Sequence, residues 1–220
     1  MAKGSTRHKS ANTSFLHAGM TMATTKRIET AQCCGALIDV QRFFLSQVDK
    51  RLRSGLIANT KNFVRLLDYF KIPLIVTIER PIDQKGRLPN EIANHLGERA
   101  EIHEKDFFDL TKEKAIAGRL ARLKKKQVIV AGCETDVCVL QSCLGLLGLG
   151  YQVFVVDELL FSASRNVDAA IARMEAAGAV FVTYKTLFYE LLERVEDSRY
   201  AQKTFAKLGP FPEDLPDTAL

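Results

Sequence analysis

At 220 residues, 47% apolar and 26% charged, the chain has the length and balance of one soluble globular domain with a substantial core, and no apolar run approaches a membrane span. Lys3, Arg7, Lys9, Lys26 and Arg27 precede the first acidic residue, Glu29; setting them aside leaves 26 basic residues against 26 acidic ones. The net charge of +5 therefore belongs to the first segment, and the neutral body offers no bulk-charge argument for a nucleic-acid partner. Five cysteines, an odd number with Cys33 and Cys34 adjacent, argue against a disulfide framework and for free thiols in a reducing compartment, so a cytoplasmic location is expected.

Residues 1–29 are polar, basic, rich in Ser, Thr and Ala, and without hydrophobic periodicity, which predicts a disordered tail. A mitochondrial transit peptide is the competing reading; only two arginines and no clear amphipathic helix weigh against it. A first strand is predicted from Cys33 to Ile38, ending on Asp39. Leu56, Thr60, Phe63, Leu67 and Phe70 recur at helical spacing, and Ile72-Pro73 closes that helix. Leu74–Ile78 predicts a second strand. The polar stretch Glu79–Arg99, with Pro81, Gly86, Pro89 and Gly97, predicts a loop on the active-site side. A short strand around Ile102 leads to Lys105, placed in a loop, and Thr111 is the expected cap of a helix bearing Ile116, Leu120 and Leu123. The cations at that helix's end, Arg119, Arg122 and Lys124 to Lys126, read as a solvated C-terminus rather than an RNA patch.

The stretch from Val128 to Asp157 predicts strand (Val128–Ala131), sharp turn (Gly132–Asp136), apolar helix (Val137–Leu149) and strand (Gln152–Val156). A helix from Val167 to Ala177, a strand Ala179–Val182 and a helix from Thr186 to Arg194 follow, and a proline-containing extended tail is expected over 207–220. The folded domain is thus expected over 30–206. Strand and helix alternate throughout, which predicts a three-layer, doubly wound α/β fold with a mostly parallel sheet covered on both faces.

In such a sheet ligands gather at the carboxyl ends of the strands, near the point where strand order reverses. Asp39 ends the first strand, and Cys138 lies in the first turn of the apolar helix, where orphan N–H groups and the helix dipole favour a thiolate. If their strands are neighbours, carboxylate and thiol converge, with Lys105 as the third member. A carboxylate in a dry site is a stronger base, and an ammonium beside both holds the charges in register. Backbone N–H groups near Glu134, Val137 and Cys138 are candidates for an oxyanion cradle. Gln41 and Glu79 are candidate pocket residues, although Glu79 and Arg80 would equally pair with each other. Cys33, Cys34, Cys133 and Cys143 read as small core filler, and His103 as a histidine without a catalytic task.

Three stretches in this order, ALIDVQRFF (Ala36–Phe44), Lys105 in HEKDFFDLT, and VIVAGCETDVCV (Val128–Val139), resemble the isochorismatase-like cysteine hydrolases over roughly Cys34–Glu193. Within that superfamily GCETDVC and Ser162–Leu192 are similar to the isochorismatase-domain-containing subgroup, some relatives of which are labelled mitochondrion-associated ribonucleases. The resemblance implies a Rossmann-like fold, an Asp-Lys-Cys triad at Asp39, Lys105 and Cys138, a cis peptide at Cys133-Glu134, and a homo-oligomer, dimer or tetramer. The nicotinamidases of the family carry an Asp-x-His metal motif after the second strand. Here Ile78-Glu79-Arg80-Pro81 has no histidine, so neither a metal nor another cofactor is expected. Isochorismate vinyl-ether hydrolases lack the nucleophilic cysteine, so Cys138 points to C–N hydrolysis of a small amide. The rival readings are a ribonuclease and a non-catalytic oligomeric scaffold, the latter drawn from a helix apolar nearly all round.

Overall fold

The computed structural model describes Met1 and residues 27–194. The basic tail up to residue 26 and the tail from Lys207 lie outside the described residues. Six strands, β1 (Cys33–Ile38), β2 (Leu74–Glu79), β3 (Ala100–Lys105), β4 (Gln127–Cys133), β5 (Gln152–Phe161) and β6 (Val180–Val182), form one sheet in the order β3-β2-β1-β4-β5-β6. Every pairing is parallel, as the strand-helix alternation predicts. This is the doubly wound Rossmann order, and the reversal falls between β1 and β4.

The two-residue side-chain period of each strand divides the core in two. Leu37, Val76, Ile129, Phe154 and Val156 face one layer, where they meet Phe63 and Leu67 of α2 (Lys50–Tyr69) and Leu187 and Phe188 of the last helix. Ala36, Ile38, Ile75, Val130 and Val155 face the other. There they meet Ile116 and Leu120 of the helix Lys114–Leu123, Cys143 and Leu146 of the helix Leu140–Gly148, and Met174 of the helix Asp168–Ala176. β1, β2 and β4 are buried along their whole length, which is why their sequences read as continuous apolar runs.

Several boundaries differ from expectation, each for a local reason. A short helix α1 (Arg42–Gln47) follows Asp39. The predicted loop Glu79–Arg99 contains two one-turn helices, α3 (Ile82–Lys85) and α4 (Asn90–Ala93), too short to show periodicity. Thr111 is not the helix cap. It sits in a 3-10 turn, Leu110–Lys112, capped by Asp109, and α5 (Lys114–Leu123) begins after Glu113, whose side chain makes no capping bond. Lys105 is not a loop residue: it is the last residue of β3 and fully buried. A π-helical turn, Thr135–Val139, precedes α6 (Leu140–Gly148) and carries Cys138. β5 runs past Val156 to Phe161, carrying the exposed Asp157 and Glu158 inside it. α7 (Asp168–Ala176) and α8 (Tyr184–Leu192) complete the chain of elements.

Candidate active site

The register of the sheet places its strand ends. Ile38 stands opposite Thr77 on one side and Gly132 on the other, and Glu79 stands opposite Lys105. Asp39, one residue past the end of β1, therefore emerges between the ends of β2 and β4, at the reversal point. It adopts a left-handed conformation (φ 50°), which aspartate tolerates better than most residues. The β1–β4 approach at this level is close enough to require glycine: Gly132 has φ 124°, and a Cβ there would lie 2.0 Å from the Ile38 carbonyl oxygen. The Cys133–Glu134 and Arg80–Pro81 peptide bonds are cis.

Four side chains meet in this crevice. The Lys105 ammonium lies 2.7 Å from Asp39 Oδ2, 3.3 Å from Glu79 Oε2 and 3.6 Å from Cys138 Sγ. Cys138 Sγ in turn lies 3.1 Å from Glu79 Oε2. Thr77 Oγ1 donates to Asp39 Oδ1 at 2.8 Å and accepts from the Asp39 backbone N–H at 3.3 Å. Asp39 Oδ2 lies against the Lys105 ammonium, and the Cys138 thiol is also within reach of this carboxylate. Asp39 and Lys105 have no exposed surface; Cys138 keeps 2% and Glu79 7%, so an approaching molecule meets the sulfur and Glu79 first.

The two carboxyl groups are driven apart electrostatically. Burial pushes Asp39 above its usual range, against the pull of Lys105 and Thr77. At Glu79 burial acts the same way but loses: hydrogen bonds from Lys85 and Cys138, with the charge of Lys105, hold this carboxyl below its usual range. Burial alone would lower Lys105; Asp39 first, then Cys138 and Glu79, keep its ammonium above its ordinary value. The Cys138 thiol is pushed well up by burial and by Asp39, Lys105 opposing, with Glu79 adding to the rise. The helix start, which favours a thiolate, is opposed first by burial and then by the two carboxylates.

The remaining sequence-selected residues stand further out. Gln41 is fully buried and spans the ends of β1 and β2: its Oε1 accepts from the Glu79 N–H at 2.7 Å, and its Nε2 donates to the Glu79 carbonyl at 3.1 Å and to that of Gly86 at 2.8 Å. It holds the Glu79 backbone rather than facing the cluster. The Glu79 side chain does not pair with Arg80, which instead meets Glu104 and Asp106 at the surface. The Val137 N–H donates to the Glu134 carbonyl at 3.1 Å within the π turn and so is engaged, while the Glu134 carboxylate accepts from the Ala163 N–H at 3.1 Å. His103 is apart from the cluster, beside Glu101.

Two residues outside the sequence-selected set belong to the site. Thr77 was signalled only as a hydroxyl inside an apolar strand. Lys85, whose ammonium is bonded to Glu79 Oε1 and donates to the Arg80 carbonyl at 3.0 Å, carries no sequence signal, being one cation on a single helical turn.

Asp39, Glu79 and Cys138 present ligand atoms within 4.8 Å of one another, a spacing suited to a metal ion. Lys105 already stands among them, so a divalent ion would face an ammonium at contact distance; the donor set fits a lysine rather than a metal.

An isochorismatase domain model matches residues 36–186. The chain is 31% identical over 188 residues to isochorismatase domain-containing protein 2 of Bos taurus, covering 84% of this chain and 85% of the relative. Among solved structures, a MAR1 ribonuclease from Caenorhabditis elegans superposes with a TM-score of 0.74 at 26% identity, over 89% of this chain and all of the other. YcaC from Pseudomonas aeruginosa, solved with hexane-2,5-diol and covalent acrylamide, does so with a TM-score of 0.74 at 25% identity, over 84% of this chain and 98% of the other. The crevice just described lies within the matched region, and this chain belongs to the isochorismatase domain family.

Proposed function

We propose that this protein is a cysteine hydrolase of small amides, with Cys138 as nucleophile, Asp39 as proton carrier and Lys105 as the cation that keeps the pair in register. The observation that carries the reading is the Lys105 ammonium within 2.7 Å of the acid and 3.6 Å of the sulfur in a buried crevice. Asp39, with its raised affinity for a proton and its carboxylate within reach of the thiol, takes the thiol proton as the S–C bond forms and the carbonyl π pair moves onto oxygen. That proton then passes to the departing nitrogen as the C–N bond breaks, leaving a thioester on Cys138. Asp39 next takes a proton from water, whose oxygen attacks the thioester, and returns it to the sulfur as the acid product leaves. The covalent acrylamide on the P. aeruginosa relative, a reagent that adds to nucleophiles at its alkene, lends support from outside this chain to a reactive nucleophile in this fold, not to amide cleavage itself.

The test is a panel of small amides offered to the full-length protein, followed by quenching and mass analysis of the peptide containing Cys138. An acyl adduct there, absent from Cys138→Ser, supports the reading; hydrolysis that survives Cys138→Ser sinks it. The ribonuclease reading draws its support from the name of the C. elegans relative. The four crevice side chains include no histidine. Of the cations at the end of α5, Arg119 pairs with Glu101 at 2.7 Å and Lys125 donates to the Ala31 carbonyl at 2.7 Å. RNA cleavage by purified protein that disappears in Cys138→Ser would favour it. A homo-oligomer is part of the proposal, supported by the apolar side chains of Leu144, Leu147 and Leu149 left partly or fully open on α6 and just beyond it.

A further inference from the structure

Glu79 has no task in the steps above, yet it is the outermost of the four groups and touches the sulfur. Its Oε2 lies 3.1 Å from Cys138 Sγ, a thiol being a weak donor, while Oε1 is held by Lys85 at the mouth. Gln41 clamps its backbone on both sides, so the carboxylate has a fixed position. Charge is balanced locally: Lys105 stands between Asp39 and Glu79, and Lys85 is a second cation on Glu79. An incoming molecule therefore meets a fixed carboxylate beside the nucleophile, compensated by a cation standing on its outer side.

We propose that Glu79 selects the substrate, accepting hydrogen bonds from the N–H groups of a primary amide and turning away substrates that bring a carboxylate to the same place. The proposal rests on the hydrolase reading for the identity of Cys138 as nucleophile. It also links recognition to attack. An amide N–H is a better donor than a thiol and displaces it from Oε2; the S–H is then left to the Asp39 carboxylate, within 4.8 Å. A carboxylate substrate has no such donor and meets like charge at contact distance, where a low local dielectric makes repulsion strong.

Iodoacetamide and iodoacetate differ only in carrying an amide or a carboxylate, and both alkylate a thiol: the S–C bond forms, iodide leaves with the C–I electron pair, and the thiol proton goes to the base. Rates at Cys138 are read by peptide mass on the full-length protein, and the ratio of the two is compared with that of N-acetylcysteine under the same conditions. The wild-type protein is expected to favour iodoacetamide at least tenfold more than the free thiol does. Glu79→Gln, which leaves Lys85 uncompensated, is expected to speed iodoacetate, to slow or leave iodoacetamide, and so to lower or reverse the ratio. Lys85→Met, a change at a partly exposed side chain, is expected to raise it. A ratio equal to that of the free thiol, or unchanged across both variants, overturns the selection role while leaving Cys138 a reactive nucleophile. A Cys138 inert to both reagents in all three proteins overturns the hydrolase reading and takes this inference with it.

Discussion

The two halves of the sheet meet at the same crevice but supply it differently. In the β3-β2-β1 half, strands end directly on chemistry: Asp39 follows β1, Glu79 ends β2 and Lys105 ends β3. In the β4-β5-β6 half, no strand places a charged side chain in the crevice, the Asp157 and Glu158 of β5 being exposed, and only the turn after β4 contributes, through Cys138. The first half therefore carries buried charges that are tolerated only as a mutually compensating set, whereas the second carries a neutral thiol that would be stable there without any of them. Stability and activity should be coupled in one half and separable in the other.

The sharpest way to break that contrast is Lys105→Met. Removing the ammonium leaves Asp39 and Glu79 facing each other without their shared cation, and losing one partner of a buried ion pair costs about 3–5 kcal/mol. Denaturant unfolding should show that loss together with abolished turnover. Adding Asp39→Asn to Lys105→Met should restore part of the stability and none of the activity.

Asp39→Asn alone separates base from electrostatics. Turnover of any amide substrate should fall by about a thousandfold or more, because no group remains to carry the proton. Alkylation of Cys138 by iodoacetamide at neutral pH should also become slower, since the group that takes the thiol proton is gone. Unchanged or faster alkylation would assign Asp39 a different role.

The two carboxylates should also impose opposite pH slopes on stability. The folded state holds the Asp39 proton more tightly than the unfolded chain does, so this group's contribution is fully present below the unfolded carboxylate range, about pH 3.9, and is lost as pH rises through the folded value. Glu79 is depressed, so its contribution is present above about pH 4.3 and is lost as pH falls through its lower folded value. Unfolding measured across a pH series should show Asp39→Asn removing the first slope and Glu79→Gln the second.

The smallest effect belongs to the other half. Cys143, fully buried on α6 with its thiol pushed up to about 12 by burial alone, contacts none of the charged groups. Cys143→Ala should cost about 1 kcal/mol of stability and leave turnover unchanged.

The same contrast explains what could be read from the residues alone. Strands buried on both faces announce themselves, as Leu74–Ile78 and Val128–Ala131 do, and the alternation with amphipathic helices is enough for the layered parallel fold. β3 is an edge strand whose residues AEIHEK are mostly polar and partly exposed, so that only a short strand around Ile102 is legible and the burial of Lys105 at its end is not; only the family likeness singled that lysine out. Glu79 and Arg80 look like a natural pair in sequence, yet they sit on opposite sides of the β2 end, one turned into the crevice and one to the surface. The rise in the Cys138 pKa was likewise illegible. Helix position is local, but the burial that opposes it, and the two carboxylates that add to that, come from packing against strands far away in the chain.

The most direct measurement is quenched mass analysis of the full-length protein reacting with small primary amides, run in parallel on the wild type and Cys138→Ser. A transient acyl mass on the Cys138 peptide, with adduct and hydrolysis both lost in the variant, is the predicted result. Hydrolysis that continues without Cys138, or no acyl mass and no hydrolysis across the panel, would contradict it.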